Sequence, residues 1–246
     1  MKELENSHVF LTGGSRGLGL EICRTLLQSG NRVTTTARAM TSDLVELSHT
    51  HGRQLRFFPC DLSDQTQVDG LIENAELLTE VYDGFVSNAG VGTEGLVTLL
   101  PPQTIRHCMD VNLFAPILIT QAILKGMLSH QKGGSLVLVA SICAHHGQGG
   151  LSAYAAAKAG LCGFSKGVAR DYGPRGIRCN VVLPGFLETD MTRSLDSNQR
   201  AKITQRTALK RTAQTSEIAQ VIMHLLSPDA SFTTGSEYVV DGGLTG

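Results

Sequence analysis

Tyr154 and Lys158 stand four residues apart in Tyr154-Ala-Ala-Ala-Lys158, inside an Ala- and Leu-rich segment that runs to about Tyr172 and is closed by Gly173-Pro174. The segment predicts a helix, and a spacing of four sets the phenol and the ammonium side by side on one face. A phenol titrates near ~10, and an adjacent cation is expected to lower it by ~1–3 pH units, making Tyr154 a general acid usable near neutrality. Ser141 follows the run Leu136-Val-Leu-Val-Ala140, which reads as a strand, so its hydroxyl falls at the C-terminal edge of a sheet and can donate to a carbonyl. Asn112, in Met109-Asp110-Val111-Asn112, is placed to hold a water or a backbone group near Lys158. Taken singly, each has an ordinary reading as well: exposed helix polar groups, a strand cap, a turn residue.

A second chemistry sits near the N-terminus. Thr12-Gly13-Gly14-Ser15-Arg16-Gly17-Leu18-Gly19 follows a short apolar run and leads into Leu20–Ser29, which is helix-like. Glycines allow a tight turn and close backbone approach, while a helix N-terminus offers free N–H groups to a pyrophosphate. About 20 residues on, an acid would mark a ribose 2′-hydroxyl and an arginine a 2′-phosphate. The next strand ends Thr36-Ala37-Arg38, no acid lies between Gly30 and Thr41, and Arg16 sits inside the loop. Two guanidiniums suit a phosphate, so NADPH is expected over NADH. Alone, Arg38 reads equally as a solvated strand-end charge.

The elements that must position these groups alternate along the chain. His8–Thr12, Arg32–Thr36, Leu55–Pro59, Gly84–Asn88, Ser135–Ala140, Arg178–Leu183 and Glu237–Val240 read as strands with helical patterns between them. Strands separated by helix-length segments imply right-handed crossovers, hence an α/β fold: a single Rossmann-type doubly wound domain, residues 1–246, with a seven-stranded parallel sheet covered by helices on both faces. The only long irregular stretch, Pro184–Thr192, follows a strand end and is expected to form a flap over the site.

Composition narrows the classes. At 246 residues, 41 % hydrophobic and 17 % charged, the chain suits a globular enzyme and not a disordered one. A net charge of −1 lacks the basic excess of nucleic-acid binders. Six scattered cysteines without Cys-x-x-Cys spacing read as reduced packing residues. No signal-like start and no long apolar run are visible, so a cytoplasmic protein with no membrane segment is expected. His145 and His146 are adjacent, with no carboxylate or cysteine pattern to complete a metal set; no metal is expected, and they read as a polar loop or part of a substrate loop.

Together these residues resemble the short-chain dehydrogenase/reductase family over essentially the whole chain: the Thr12–Gly19 loop, Asp61, Asn88-Ala89-Gly90, Asn112, Ser141, Tyr154-x-x-x-Lys158 and Pro184-Gly185. The resemblance implies a site in which Tyr154 protonates a carbonyl oxygen as hydride reaches its carbon. Ser141 polarises that oxygen, Lys158 holds the nicotinamide ribose and depresses the tyrosine, and Asn112 supports a water relay. It further implies cofactor contacts from Gly13, Ser15, Arg16, Gly17, Leu18, Gly19 and Arg38, adenine contacts at Asp61 and Leu62, adenosine flanked by Asn88, Ala89 and Gly90, and nicotinamide contacts at Pro184, Gly185 and Thr189. Ser87-Asn88-Ala89-Gly90 departs from the family's usual Asn-Asn-Ala-Gly without removing a catalytic group.

Within the family, Tyr154-Ala-Ala-Ala-Lys-Ala-Gly-Leu161, Gly163-Phe-Ser-Lys166 and Pro184-Gly-Phe-Leu-Glu-Thr-Asp-Met-Thr-Arg193 are similar to 3-oxoacyl-carrier-protein reductases of fatty-acid synthesis and to polyketide ketoreductases. That similarity implies a β-ketoacyl thioester on an acidic acyl carrier protein, docked by two basic residues flanking the site, here Lys132 and Arg175, which read equally as surface charges. It also implies a homotetramer built through helices around Leu96–Gly126 and Ala153–Tyr172 and a C-terminal strand, a hetero-oligomer being the other assembly open. A general reductase of free ketones, sugars or steroids stays open on the same motifs. So does a non-catalytic NADP-binding subunit or redox sensor, which would be expected to carry a damaged site.

Overall fold

The computed structural model describes residues 6–74, 80–188 and 196–246. Strand β1 (His8–Thr12) is central and pairs in parallel with β2 (Arg32–Ala37) on one side and β4 (Gly84–Ser87) on the other. Outward from these lie β3 (Leu55–Pro59) beyond β2, and β5 (Gly134–Val139), β6 (Ile177–Pro184) and β7 (Glu237–Val240) beyond β4, giving the order β3-β2-β1-β4-β5-β6-β7 with every pairing parallel. The strand order therefore reverses between β1 and β4. In open α/β sheets the crevice at such a reversal, outside the carboxyl ends of the strands, is where ligands bind.

Alternation along the strands builds two cores. Phe10, Phe85, Leu136, Leu138, Val181 and Leu183 point to one face, and Val9, Leu11, Val86, Val137, Val139 and Val182 to the other. The first face is covered by α3 (Gln65–Ile72), the long helix Pro102–Ser129 and α6 (Ser152–Tyr172). The second is covered by α1 (Gly17–Gln28), α2 (Ser42–His51) and α8 (Thr215–Leu226). A shorter helix, α7 (Ser197–Arg206), buries none of its residues.

The long helix differs from expectation. It begins at Pro102, not near Leu96, and is made of α4 (Pro102–Met109), a π-turn over Asp110–Phe114 and α5 (Ala115–Ser129). Its 28 residues are apolar enough by length and composition to cross a membrane, which corrects the expectation that no long apolar run exists, but 56 % of the apolar window is buried inside the protein. A helix apolar on most of its surface is what a buried core position requires.

Of the expected flap, only Pro184–Glu188 lies among the described residues, and a parallel bridge between Leu187 and Ala213 ties it down. All six cysteines are buried and unpaired, as packing residues would be.

Candidate active site

The strand ends converge at one edge. Ser141 lies two residues past β5 in an extended conformation, and its Oγ accepts a hydrogen bond from the Cys143 N–H (3.2 Å), capping the short 3-10 turn Ile142–Ala144. Tyr154 and Lys158 enter from α6, with Lys158 Nζ 5.8 Å from the Tyr154 ring centroid, so the helix spacing does set them side by side. Ser141 lies close enough to the Tyr154 phenol to favour its ionised form.

The protonation expectation fails in direction. Burial pushes the Tyr154 phenol up to about 12, with the neighbouring Cys143 adding to the effect and the Ser141 side chain opposing it. Burial also pushes the Lys158 ammonium down to about 8. Lys158 is 3 % exposed and spends a donor on the Val139 carbonyl (2.9 Å), so desolvation of both groups outweighs the mutual effect that spacing alone predicts.

Asn112 is fully buried in the π-turn, and its side chain holds backbone: Nδ2 donates to the carbonyls of Val91 (3.0 Å) and Cys108 (2.9 Å), while Oδ1 accepts from the Val91 N–H (3.2 Å). With both amide hydrogens engaged, Asn112 is a positioning residue that clasps the segment after β4 to the long helix. Gly90 is the point of closest approach: a Cβ there would lie 2.9 Å from Asn112 Oδ1 and 3.3 Å from Lys158 Nζ.

The glycine loop fits a dinucleotide. Gly13 has φ +76° and a Cβ on it would lie 2.9 Å from Ala89 Cα, while a Cβ on Gly19 would lie 2.0 Å from the Gly13 carbonyl oxygen. Asn88 Nδ2 donates to the carbonyls of Thr12 (3.1 Å) and Gly13 (3.3 Å), and Thr12 Oγ1 accepts from the N–H groups of Asn88 and Ala89 (3.1 Å each). Asn88 thus braces the loop. Thr41 Oγ1 donates to the Ser15 carbonyl (2.6 Å), tying the loop to the start of α2. Arg16, exposed at the N-cap of α1, makes no side-chain cap, and no acid occupies the first turn, so the positive end of the helix is left for an anion.

Arg38 and Asp61 follow the ends of the adjacent strands β2 and β3. Hydrogen bonds from the Ser63 N–H and hydroxyl hold the Asp61 carboxyl below its usual range, with Arg38 and His107 adding to the effect. The side chains of Leu18 and Leu62 are buried in the cores, which leaves only their main chain for a ligand. Gly185 lies against β7, where a Cβ would come within 2.7 Å of Asp241 Cβ. Thr189 lies outside the described residues.

Lys132 and Arg175 are neighbours, but not beside Ser141. The register pairs Gly134 with Ile177, and each basic residue lies two positions upstream, at the N-terminal edge of the sheet. At about 3.3 Å per residue, β5 separates them from Ser141 by roughly 20 Å. They line one hollow of about 190 Å³, and Lys132 pairs with Asp83 at 2.6 Å. "Flanking the site" is thus wrong for a single chain.

His145 also departs from expectation. Its imidazole meets Glu237, and His145, Cys162 and Glu237 present ligand atoms within 4.8 Å of one another, a grouping that no sequence spacing reveals. Lys166 Nζ meets the same carboxylate at 2.5 Å and holds it below its usual range. As folded, this is an ion-pair network joining the loop after Ser141, α6 and β7.

A cleft of about 510 Å³ opens beyond Ser141, between Ile142 and Cys143 on one side and α7 on the other. Its α7 residues, Lys202 and Arg206 among them, escaped the sequence reading; the available signal was a ten-residue helix with three cations and no acid.

A Gly-rich turn at the switch point, with Ser141, Tyr154 and Lys158 at the same sheet edge, defines a nicotinamide-dependent oxidoreductase of the doubly wound class. A family profile described as enoyl-(acyl carrier protein) reductase matches residues 13–245, and the chain belongs to the short-chain dehydrogenase/reductase family. It is 33 % identical over 242 residues, 98 % of each chain, to the 3-oxoacyl-(acyl-carrier-protein) reductase FabG of Salmonella typhimurium. Among solved structures it is similar to a putative 2-deoxy-D-gluconate 3-dehydrogenase from Agrobacterium tumefaciens with bound NADP (TM-score 0.90, 28 % identity, 98 % and 97 % covered). A 4-hydroxyisoleucine dehydrogenase complexed with NADH is similar too (TM-score 0.92, 25 % identity, 98 % and 99 % covered).

Proposed function

We propose that the protein reduces a 3-oxoacyl thioester, carried on acyl carrier protein, to the 3-hydroxyacyl product with NADPH, in fatty-acid or polyketide synthesis. The observation that carries the reading is the Tyr154 phenol beside Ser141 and backed by Lys158, with a cleft opening at Ile142 and Cys143, the residues that follow Ser141. The FabG relatives support the substrate class, and Arg16 and Arg38 without a competing acid support NADPH. When bound, the reduced nicotinamide supplies a hydride to the carbonyl carbon. Ser141 donates to the carbonyl oxygen and Tyr154 delivers its proton as the C=O π bond becomes C–H and O–H. A phenol held near 12 remains fully protonated until that oxygen gains charge, which suits an acid. Lys158 is placed to hold the nicotinamide ribose.

The assembly we propose is a homotetramer through the long helix and α6, and six unpaired thiols suit a reducing cytoplasm. A second reading, a reductase of small free ketones, draws on the sugar-acid and hydroxy-amino-acid dehydrogenases among the structural relatives. NADPH oxidation measured with a β-ketoacyl thioester against a panel of free ketones separates the two. The thioester is expected to dominate kcat/KM, and Tyr154→Phe to abolish turnover while NADPH still binds. Preference for a free ketone overturns the substrate; retained turnover in Tyr154→Phe overturns the acid.

A further inference from the structure

The cleft beside Ser141 has two unlike walls. Away from α7, Ile142, Phe186 and Leu244 supply apolar surface among the polar His146, Gln148 and Thr245. On the other wall, α7 presents Gln199, Lys202, Ile203 and Arg206, whose spacing of three, one and three residues marks a single helix face. A helix face turned toward its own protein is ordinarily apolar; this one carries two cations one turn apart, and the helix buries none of its residues. Among the described residues no Asp or Glu side chain lines the cleft, whose lining also includes His146 and the last residue, Gly246. Among the described residues neither Lys202 nor Arg206 makes an ion pair or a side-chain hydrogen bond, whereas Lys132, Lys166 and Arg211 all pair with carboxylates. Unpaired like charges held together in a concavity raise the local potential and draw in a counter-charge.

We propose that Lys202 and Arg206 form an anion subsite of the substrate cleft, which holds a phosphate or carboxylate on the part of the substrate remote from the reacting carbonyl. The ligand class is therefore amphipathic: an apolar acyl segment against Ile142, Phe186 and Leu244, and an anionic group on α7. A guanidinium can meet two oxygens of such a group at once, and the lysine adds a point charge. This deepens the thioester reading, where the anion is the phosphate of the carrier's prosthetic arm. It also has meaning without that reading, because a free keto acid presents a carboxylate.

Two measurements test it on the NADPH-loaded protein. Binding of phosphopantetheine is compared with that of pantetheine by calorimetry. In parallel, kcat/KM is compared for a β-ketoacyl thioester on each arm, and for a keto acid against its methyl ester. The wild type is expected to favour the anionic member of at least one pair by about tenfold or more, through Kd and KM, with the preference shrinking as salt rises. Lys202→Met with Arg206→Met keeps the apolar stems and is expected to bring that ratio close to one. Lys125→Met, which removes one of the two charges lost in the double variant from an exposed residue outside the cleft, serves as the control and is expected to leave the ratio alone. Preference for the phosphorylated arm assigns the anion to a carrier or a similar thioester. Preference only for the keto acid retains the subsite and removes the thioester reading. Equal handling of every pair by the wild type, or a preference that survives in the double variant, overturns the subsite.

Discussion

An ammonium that is 3 % exposed and bonded to a main-chain carbonyl has lost most of its hydration, and Lys158 accordingly sits near about 8. It is charged below that value and neutral above it, so the hold on a ribose and the positive field at the phenol are present at neutral pH and lost as pH rises through about 8. Reductive kcat/KM at saturating cofactor should therefore fall above about pH 8, while the phenol at about 12 stays out of the window. Lys158→Arg keeps its charge throughout and should flatten that limb, though at a lower plateau, since a fork replaces a point charge. An unchanged limb in Lys158→Arg would place the titration elsewhere. The identity of this pair was legible from a spacing of four; the direction of the phenol's shift was not, because burial is a property of the packed fold. Arg38, in contrast, is singled out by an absence in sequence, the missing acid between Gly30 and Thr41, and its cofactor role is a proposal that substitution tests. Arg38→Asp introduces that acid beside the ribose position and should lower the NADPH/NADH ratio of kcat/KM by at least about tenfold. An unaltered ratio would return Arg38 to the role of a solvated strand-end charge.

At the scale of elements, the π-turn at Asp110–Phe114 is what lets Asn112 act. A π-turn disturbs the ordinary i→i−4 ladder, and Asn112 Nδ2 takes the carbonyl of Cys108, four residues back, while the rest of the amide clasps Val91. The clasp fixes the chain just after β4, where a Cβ on Gly90 would crowd both Asn112 and Lys158. Asn112→Ala would leave the Cys108 carbonyl and both main-chain groups of Val91 without these partners. At about 1–3 kcal/mol for each unsatisfied buried group, partly recovered by relaxation, the loss should be about 2–4 kcal/mol. Thermal unfolding should shift down by about 5–12 °C for a chain of this size. A midpoint unchanged within about 1 °C would show that the clasp carries no strength. The family resemblance implied this helix but misplaced its start, and the turn within it was missed, since a π-turn alters hydrogen bonding and leaves the apolar pattern almost intact. The His145–Glu237–Lys166 network was out of reach for a related reason: its members come from a loop, a strand and a helix up to 92 residues apart.

The arrangement of the whole chain was the most legible level. Seven strand-like runs separated by helix-length segments admit few unknotted right-handed topologies, and the observed order is one of them. What sequence could not supply is which outer surface meets another copy, because packing within and between chains uses the same residues. The fold narrows this. Leu96, Val97 and Leu99 are 64 %, 57 % and 76 % exposed in the segment leading to the long helix, and Phe114 is 50 % exposed on its π-turn. Apolar side chains left in water along the helix already proposed as an interface are suited to burial between copies. In a symmetric assembly each residue of a two-fold interface occurs twice, so one substitution is felt twice per contact. Burying a Phe contributes about 1.5–3 kcal/mol, and Phe114→Glu replaces that gain with two carboxylates brought into one apolar contact. Sedimentation equilibrium should find the wild type at four times the 26.3 kDa chain mass, and Phe114→Glu at smaller, concentration-dependent species with unchanged circular dichroism. A wild type that sediments as a single chain would remove the tetramer, and a variant that remains fourfold would move the interface away from this segment.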